Sequence, residues 1–443
     1  MTIWDESHEC MSRDELEQLQ LERLQATLNR VYRNVRFYKK SFDAIGFNPD
    51  DIDALNALSR LPLTSRKDLA RAYPYEMFAV PLREVVRIHA SSGTSENPSI
   101  VGYTSNDLRH WGDLVARCLT AAGVTRDDVV QVAFNYGLFT GAFGLHYGTE
   151  RIGASVVPSS VGNTRRQINI LRDYRTTTLV CTPGYALRIA QVMREMDLDP
   201  KTLALKQGIF GGEPWDEEVR RSIEAGLYVK AFDSYGLSEV MGPGVAGECS
   251  EKKGLHVSED HFIAEIIDPE SGQSLPLGET GELVLTTITK EAFPVIRFRT
   301  GDLTSLDRSP CPCGRTLARI SKVSGRCDDI VIVKGVNIYP REVAPILIEM
   351  TGTEPAYQLV VQRENHQDSL AIRVEVSEAL FYDKMEKQRS MVNRLAKKIR
   401  DMLGITPDIW LVEAGSIQRE KETAPMVVDQ RGGQAKLHVP GGG

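Results

Sequence analysis

The sequence has no excess of basic residues. Its 53 Lys+Arg against 60 Asp+Glu leave a formal net charge of −7. That balance excludes a general nucleic-acid binder while leaving room for one nucleotide in a locally basic site. Nor is there a disulfide framework, because seven cysteines are an odd number scattered through 443 residues. Such usage suits reduced cytoplasmic thiols. Long apolar runs are missing too. The longest charge-free stretch, Val129 to Thr149, carries Gln131, Asn135, His146 and four glycines. It reads as a buried strand entering a Gly-rich loop rather than a membrane span. The start, Met-Thr-Ile-Trp-Asp-Glu, has no apolar core of a signal peptide. The expectation is a cytoplasmic protein with no membrane partner. No Gly-Lys-Ser/Thr closes a Walker A loop, and no internal repeat is present.

What is present is long enough for more than one domain. Ser12 and Glu15 form a capping box ahead of a helix with Leu16, Leu19, Leu24, Leu28 and Val31 near helical spacing. From about residue 106, strand-like runs (Val129–Phe134, Ala154–Val157, Thr177–Cys181, Gln207–Phe210, Val229–Phe232) alternate with helical ones (106–122, 163–173, 184–196, 215–226). This alternation predicts an α/β fold with a mostly parallel sheet. After Asp260 the texture becomes antiparallel: Ile263–Ile267, then Gly278–Thr287. Past Asp328 the pattern is strand, Gly335 turn, helix from about Arg341, strands Tyr357–Gln362 and Leu370–Glu375, helix 380–403 and strand Asp408–Val412. The expectation is a large N-terminal domain, 1–327, with parallel sheet and antiparallel β subdomain, and a small mobile α+β domain, 329–443. The Gly-rich tail from Arg431 is expected to be disordered.

Ser91-Ser92-Gly93-Thr94-Ser95 places four hydroxyls around one glycine. Such a loop can bring backbone N–H groups and hydroxyls against a polyphosphate. Tyr136-Gly-Leu-Phe139-Thr-Gly-Ala-Phe143-Gly supplies aromatic and small residues without charge, which suits a flat aromatic acid or plain core packing. Cys249, His256, Cys311 and Cys313 offer three thiolates and one imidazole. That is the donor count of a structural zinc site. Two unrelated thiol pairs are the alternative, and His261 is a weaker alternative ligand.

The ordered blocks His89-Ala-Ser-Ser-Gly-Thr94, Ile209-Phe-Gly-Gly-Glu-Pro-Trp215, Asp233-Ser-Tyr-Gly-Leu-Ser-Glu239, Gly254–His261, Arg299-Thr-Gly-Asp302, Cys311–Thr316 and Gly325-Arg-Cys-Asp-Asp329 resemble the phenylacetate–CoA ligase family, within the adenylate-forming superfamily. The resemblance covers about Leu61 to Asp429. It implies an ATP- and CoA-dependent ligase for an aryl or arylacetic acid that acts through an acyl-adenylate and assembles as a homodimer. By that resemblance Glu239 would hold Mg²⁺ and Ser238 would touch the α-phosphate, with Ser91, Ser92, Gly93 and Thr94 around the phosphates. Tyr235, Asp233 and Gly236 would lie on one side of adenine, and Gly211, Gly212, Glu213 and Pro214 on the other. Asp302 would accept the ribose hydroxyls and Arg326 would reach the ribose or phosphates. Asp328 would be the hinge and Gly335 would line the pantetheine tunnel. Tyr136, Phe139, Phe143 and Gly211 would form the acid pocket.

Two departures cut against simple carry-over. The family's phosphate loop reads Thr-Gly-Lys-Pro, whereas here it is Ser95-Glu96-Asn97-Pro98. The family's catalytic lysine aligns with Thr423, leaving Lys421 two residues away as its substitute. Transfer to a carrier protein or other acceptor is an alternative outcome, as is a catalytically weak paralogue that binds nucleotide or acyl-CoA.

Overall fold

The computed structural model describes residues 2–91, 98–327, 331–338, 340–351, 356–364, 367–376, 385–413, 416–417, 427–431 and 436–437. Two compact units emerge: the first runs through Ser91, resumes beyond the hydroxyl-rich loop and ends at Arg326, and the second starts at Cys327.

The first unit is built on a nine-stranded sheet. Its order is Leu306–Asp307, Arg319–Ile320, Leu255–Val257, Gly242–Glu248, Lys230–Leu237, Gln207–Gly211, Thr178–Cys181, Val129–Val132, Ser155–Val157. The last five strands run parallel. Parallel neighbours need crossovers, and Gly141–Ile152, Thr164–Asp173, Pro183–Glu195 and Glu217–Leu227 supply them as helices. Strands covered on both faces carry no alternation: Thr178–Cys181 and Gln207–Gly211 are buried at every position. The expected parallel strands and crossover helices fall within a few residues of these bounds. The sheet is more mixed than the alternation suggested, because four antiparallel strands extend it directly. A separate four-stranded antiparallel sheet holds Phe262–Ile267, Gly281–Thr287, Phe298–Thr304 and Gly325–Arg326.

Local chemistry explains the helix starts. Ser12 and Glu15 exchange the reciprocal bonds of a capping box at the head of Arg13–Asn34. Thr104 and Asp107 do the same for Ser105–Ala121. Asp107 is fully buried and also accepts from the backbone N–H of Glu291 (2.7 Å) and Ala292 (3.0 Å). One carboxylate thereby ties that helix to the loop between the second and third strands of the antiparallel sheet.

The second unit has a five-stranded sheet, ordered Asp408–Glu413, Gln367–Val376, Tyr357–Glu364, Val427–Asp429, Lys436–Leu437, with helices Pro340–Thr351 and Met385–Leu403. The expected disorder of the tail is corrected in part. Lys436–Leu437 pairs with Val428–Asp429, and Arg431 bonds both Asp429 and Asp368. At these described residues, charge pairing and one short ladder supply the contacts. Among the described residues no helix is long and apolar enough to cross a membrane.

Asp107→Ala should destabilise the first unit by about 3 kcal/mol, because it strands three backbone donors, two buried and one partly so. Urea unfolding checks this; a loss below about 1 kcal/mol would show that water or neighbours satisfy those groups.

Candidate active site and metal centre

The carboxyl ends of two adjacent parallel strands, Gln207–Gly211 and Lys230–Leu237, lie side by side with Gly211 opposite Ser234. Ligands of open α/β sheets sit at such ends. The approach there is close: a Cβ on Gly211 would come within 2.2 Å of the Ser234 carbonyl oxygen, and one on Gly236 within 2.0 Å of that of Gly242. The turn continues through Gly212 at φ +82°. Glu213 accepts a hydrogen bond from Gly184 N–H at 2.7 Å, so it ties the Gly211–Pro214 turn to the start of the preceding helix, Pro183–Glu195. Ser91 closes the base of its loop, its N–H donating to the Ser99 carbonyl and its Oγ accepting from Ser99 N–H.

Asp302 stands opposite Arg326 in the antiparallel register. Tyr235 donates its hydroxyl to Asp302 at 2.6 Å, and Arg326 holds the other carboxylate oxygen while also donating to the Thr300 carbonyl. Burial, then the Asp302 charge, pushes the Tyr235 phenol well above its usual range, so it remains a donor. Two blocks 67 residues apart thus meet at one carboxylate. Asp233 is pushed up to about 7, first by burial and then by the nearby Glu248 carboxylate, which Arg220 holds through both oxygens at 2.7 and 2.8 Å.

Ser238 shares a hydrogen bond with Thr140 at 2.8 Å. Glu239 is 2% exposed and meets Arg66 Nε at 3.3 Å. Arg66 also donates to the Thr300 carbonyl and lies over the Phe298 ring. Next along, the Val240 carbonyl accepts from Lys290 at 3.0 Å and the Met241 carbonyl from Tyr103 at 2.8 Å. Burial pushes Lys290 down to about 7 against the opposing pull of Asp107 and Glu239. The aromatic wall is Tyr136 edge-on to Phe143 (5.3 Å), with Phe143 tilted on His89 and stacked on Tyr147. Tyr136 is bonded to His146, whose other ring nitrogen faces Glu150. Phe143 is therefore part of a packed wall, while Phe139, next to Thr140 in the loop before it, is half-buried.

Cys249, His256, Cys311 and Cys313 come together, with all four ligand atoms within 4.8 Å of one another and all four residues buried. Cys249 leaves the strand Gly242–Glu248, His256 sits in Leu255–Val257, and the two other thiols lie in the turn before Arg319–Ile320, which pairs with His256. Cys249 Sγ and Cys311 Sγ are 3.8 Å apart, and Cys313 Sγ is 3.4 Å from His256 Nε2. Ligands about 2.3 Å (S) and 2.0 Å (N) from a tetrahedral zinc would stand about 3.8 and 3.5 Å apart. The sulfurs are too far apart for a disulfide. His256 Nδ1 meets the Leu317 carbonyl at 3.2 Å, which leaves Nε2 to coordinate. The Cys313 thiol is pushed down, first by its hydrogen bond to Cys249 and then, against burial, by His256. His261 lies elsewhere, bonded to Thr289 and facing Asp260.

A family model described as AMP-binding enzyme matches residues 84–289, and one described as AMP-binding enzyme C-terminal domain matches 335–431. The phenylacetate–coenzyme A ligase of Escherichia coli is 45% identical over 96% of this chain and 97% of its own. That of Thermus thermophilus is 42% identical over 93% and 96%. The chain belongs to the phenylacetate–CoA ligase family. Its fold is the α/β adenylate-forming fold. A crystal structure of 2-hydroxyisobutyryl-CoA ligase with 2-HIB-AMP and CoA superposes at TM-score 0.90 and 29% identity, covering 96% of this chain and 92% of that one.

Within this family member the described site unites Tyr235, Asp302 and Arg326, and sets Ser238 and Glu239 beside Thr140 and Arg66. Ser92, Gly93, Thr94, Asn97, Asp328, Lys421 and Thr423 lie outside the described residues. Gly335 turns the hairpin between Val331–Val333 and Val336–Ile338 at φ +77°. Sequence reasoning missed Arg66, Tyr103, Thr140 and Lys290. Arg66 is 173 residues from its carboxylate, and Lys290 stands beside Glu291, where a surface position is the ordinary expectation.

For the metal, purified protein should carry one tightly held zinc per chain, and Cys311→Ser with Cys313→Ser should lose it and melt several degrees lower. Elemental analysis finding no zinc would end the assignment.

Proposed function

We propose that this chain ligates an aryl or arylacetic acid, phenylacetate foremost, to coenzyme A with release of AMP and pyrophosphate. The observation that carries this reading is the 45% identity to a phenylacetate–coenzyme A ligase across 96% of the chain. The aromatic wall at Tyr136 and Phe143 supports the choice of acid.

Two anions must meet in the first step, so positive charge and fixed donors are required. A carboxylate oxygen of the acid attacks the α-phosphorus of ATP, the bond to the bridging oxygen breaks, and pyrophosphate leaves with that electron pair. Asp302 accepts the ribose hydroxyls, and Tyr235 and Arg326 hold it in place. The Tyr235 ring and the Gly211–Pro214 turn bracket adenine, with Asp233 and Gly236 at its edge. Ser238 and the loop Ser91–Thr94 donate to the phosphates. Glu239 suits a nucleotide-bound Mg²⁺, whose bound charge would offset that of the phosphates. Arg66 brings a cation to that carboxylate within the first unit. In the second step the CoA thiolate attacks the acyl carbon and AMP departs. Gly335, without a Cβ, lets the pantetheine arm pass closely, and Asp328 is the hinge between the half-reactions.

Lys421 takes the part of the absent family lysine. Acid-dependent pyrophosphate exchange tests the whole set. Wild type should exchange slowly, Lys421→Ala should be about 10²-fold slower, and Thr423→Lys faster. Asp302→Ala should lose about 1.5–3 kcal/mol of ATP affinity. With CoA added, Asp328→Pro should slow thioester formation more than exchange. Exchange unaffected by Lys421→Ala rejects the substitute lysine. No exchange in any of these proteins with a broad acid panel would favour the catalytically weak paralogue, a reading that the residues at 97 and 423 already suggest.

A further inference from the structure

Lys290 is 1% exposed. Burying an ammonium is costly, and a methionine would fill the same space without that cost. What the ammonium meets is specific: the Val240 carbonyl at 3.0 Å, with the Tyr103 ring 4.4 Å and the Phe293 ring 5.7 Å away. Its loop is pinned in turn, because Asp107 takes the N–H groups of Glu291 and Ala292, and Glu291 accepts from Thr104 and Asn106. Tyr103 stacks on Trp111 at 5.0 Å and donates to the Met241 carbonyl, while Trp111 donates to the Pro243 carbonyl. Three carbonyls within four residues after Glu239 are therefore each held by a buried side-chain donor.

We propose that Lys290 and Tyr103 are positioning residues for the metal. By holding the two peptide carbonyls that follow Glu239, they fix the direction in which its carboxylate meets a nucleotide-bound divalent cation. The inference rests on the reading above, in which Glu239 carries that cation. A carboxylate on a freely moving turn would lose its aim, and outer partners that orient a ligand typically matter about 10–100-fold in metal affinity.

Mn²⁺ serves as the probe, with its binding to the enzyme–ATP complex followed by electron paramagnetic resonance. Lys290→Met should weaken Mn²⁺ about tenfold and Tyr103→Phe about threefold. ATP affinity in metal-free buffer should stay within about twofold of wild type, a split that loss of the scaffold would not produce. Unchanged Mn²⁺ affinity in folded Lys290→Met overturns the proposal, as does a metal-free ATP affinity that falls equally. If Lys290→Met does not fold, Tyr103→Phe decides, and an unshifted Mn²⁺ affinity there overturns it. Wild type that binds Mn²⁺ and ATP but shows no acid-dependent pyrophosphate exchange would reject the ligase reading alone, since the Mn²⁺ shifts still judge the two residues.

Discussion

The parallel pairing of Gln207–Gly211 with Lys230–Leu237 is the constraint from which the site follows. The first strand ends at Gly211 opposite Ser234, while the second runs on through Leu237 to the Ser-Glu turn. The pairing tolerates no side chain at Gly211, where a Cβ would collide with the Ser234 carbonyl. Small residues here are a packing requirement of the paired strands.

Within the first unit, four acids are each given a fixed donor. Asp302 has Tyr235 and Arg326, Glu239 has Arg66, Glu248 has Arg220, and Asp107 has three backbone N–H groups. An unpaired buried charge would cost several kcal/mol, so these pairings are a condition of folding. They also set Arg66, Arg220 and Arg326 against carboxylates within the first unit.

The far, antiparallel end of the large sheet is closed differently. Two adjacent strands and one turn converge on three thiols and an imidazole. The same turn leads to Arg315, which holds the fully buried Glu9 of the N-terminal segment. Thr316 donates to the Met11 carbonyl, so the start of the chain is hooked over this corner. A metal there would cross-link short strands that have little ladder of their own.

Much of this was legible in the amino-acid order. Periodicity gave the parallel strands and crossover helices because buried parallel strands are short apolar runs and amphipathic helices repeat at 3.6. Motif order singled out Asp302 and Tyr235, which the fold joins, and thiol and imidazole chemistry singled out the four residues that it gathers. Arg66, Tyr103, Thr140 and Lys290 carried no such signal, since each acts on a group 50 to 173 residues away in sequence. In the tail, the described residues Arg431 and Lys436–Leu437 likewise take their partners from Asp368 and a neighbouring strand. The sequence by itself determined which chemical groups are available and which local elements carry them. Only the tertiary structure decided which carbonyl a buried ammonium meets, because that choice depends on packing between elements remote along the chain.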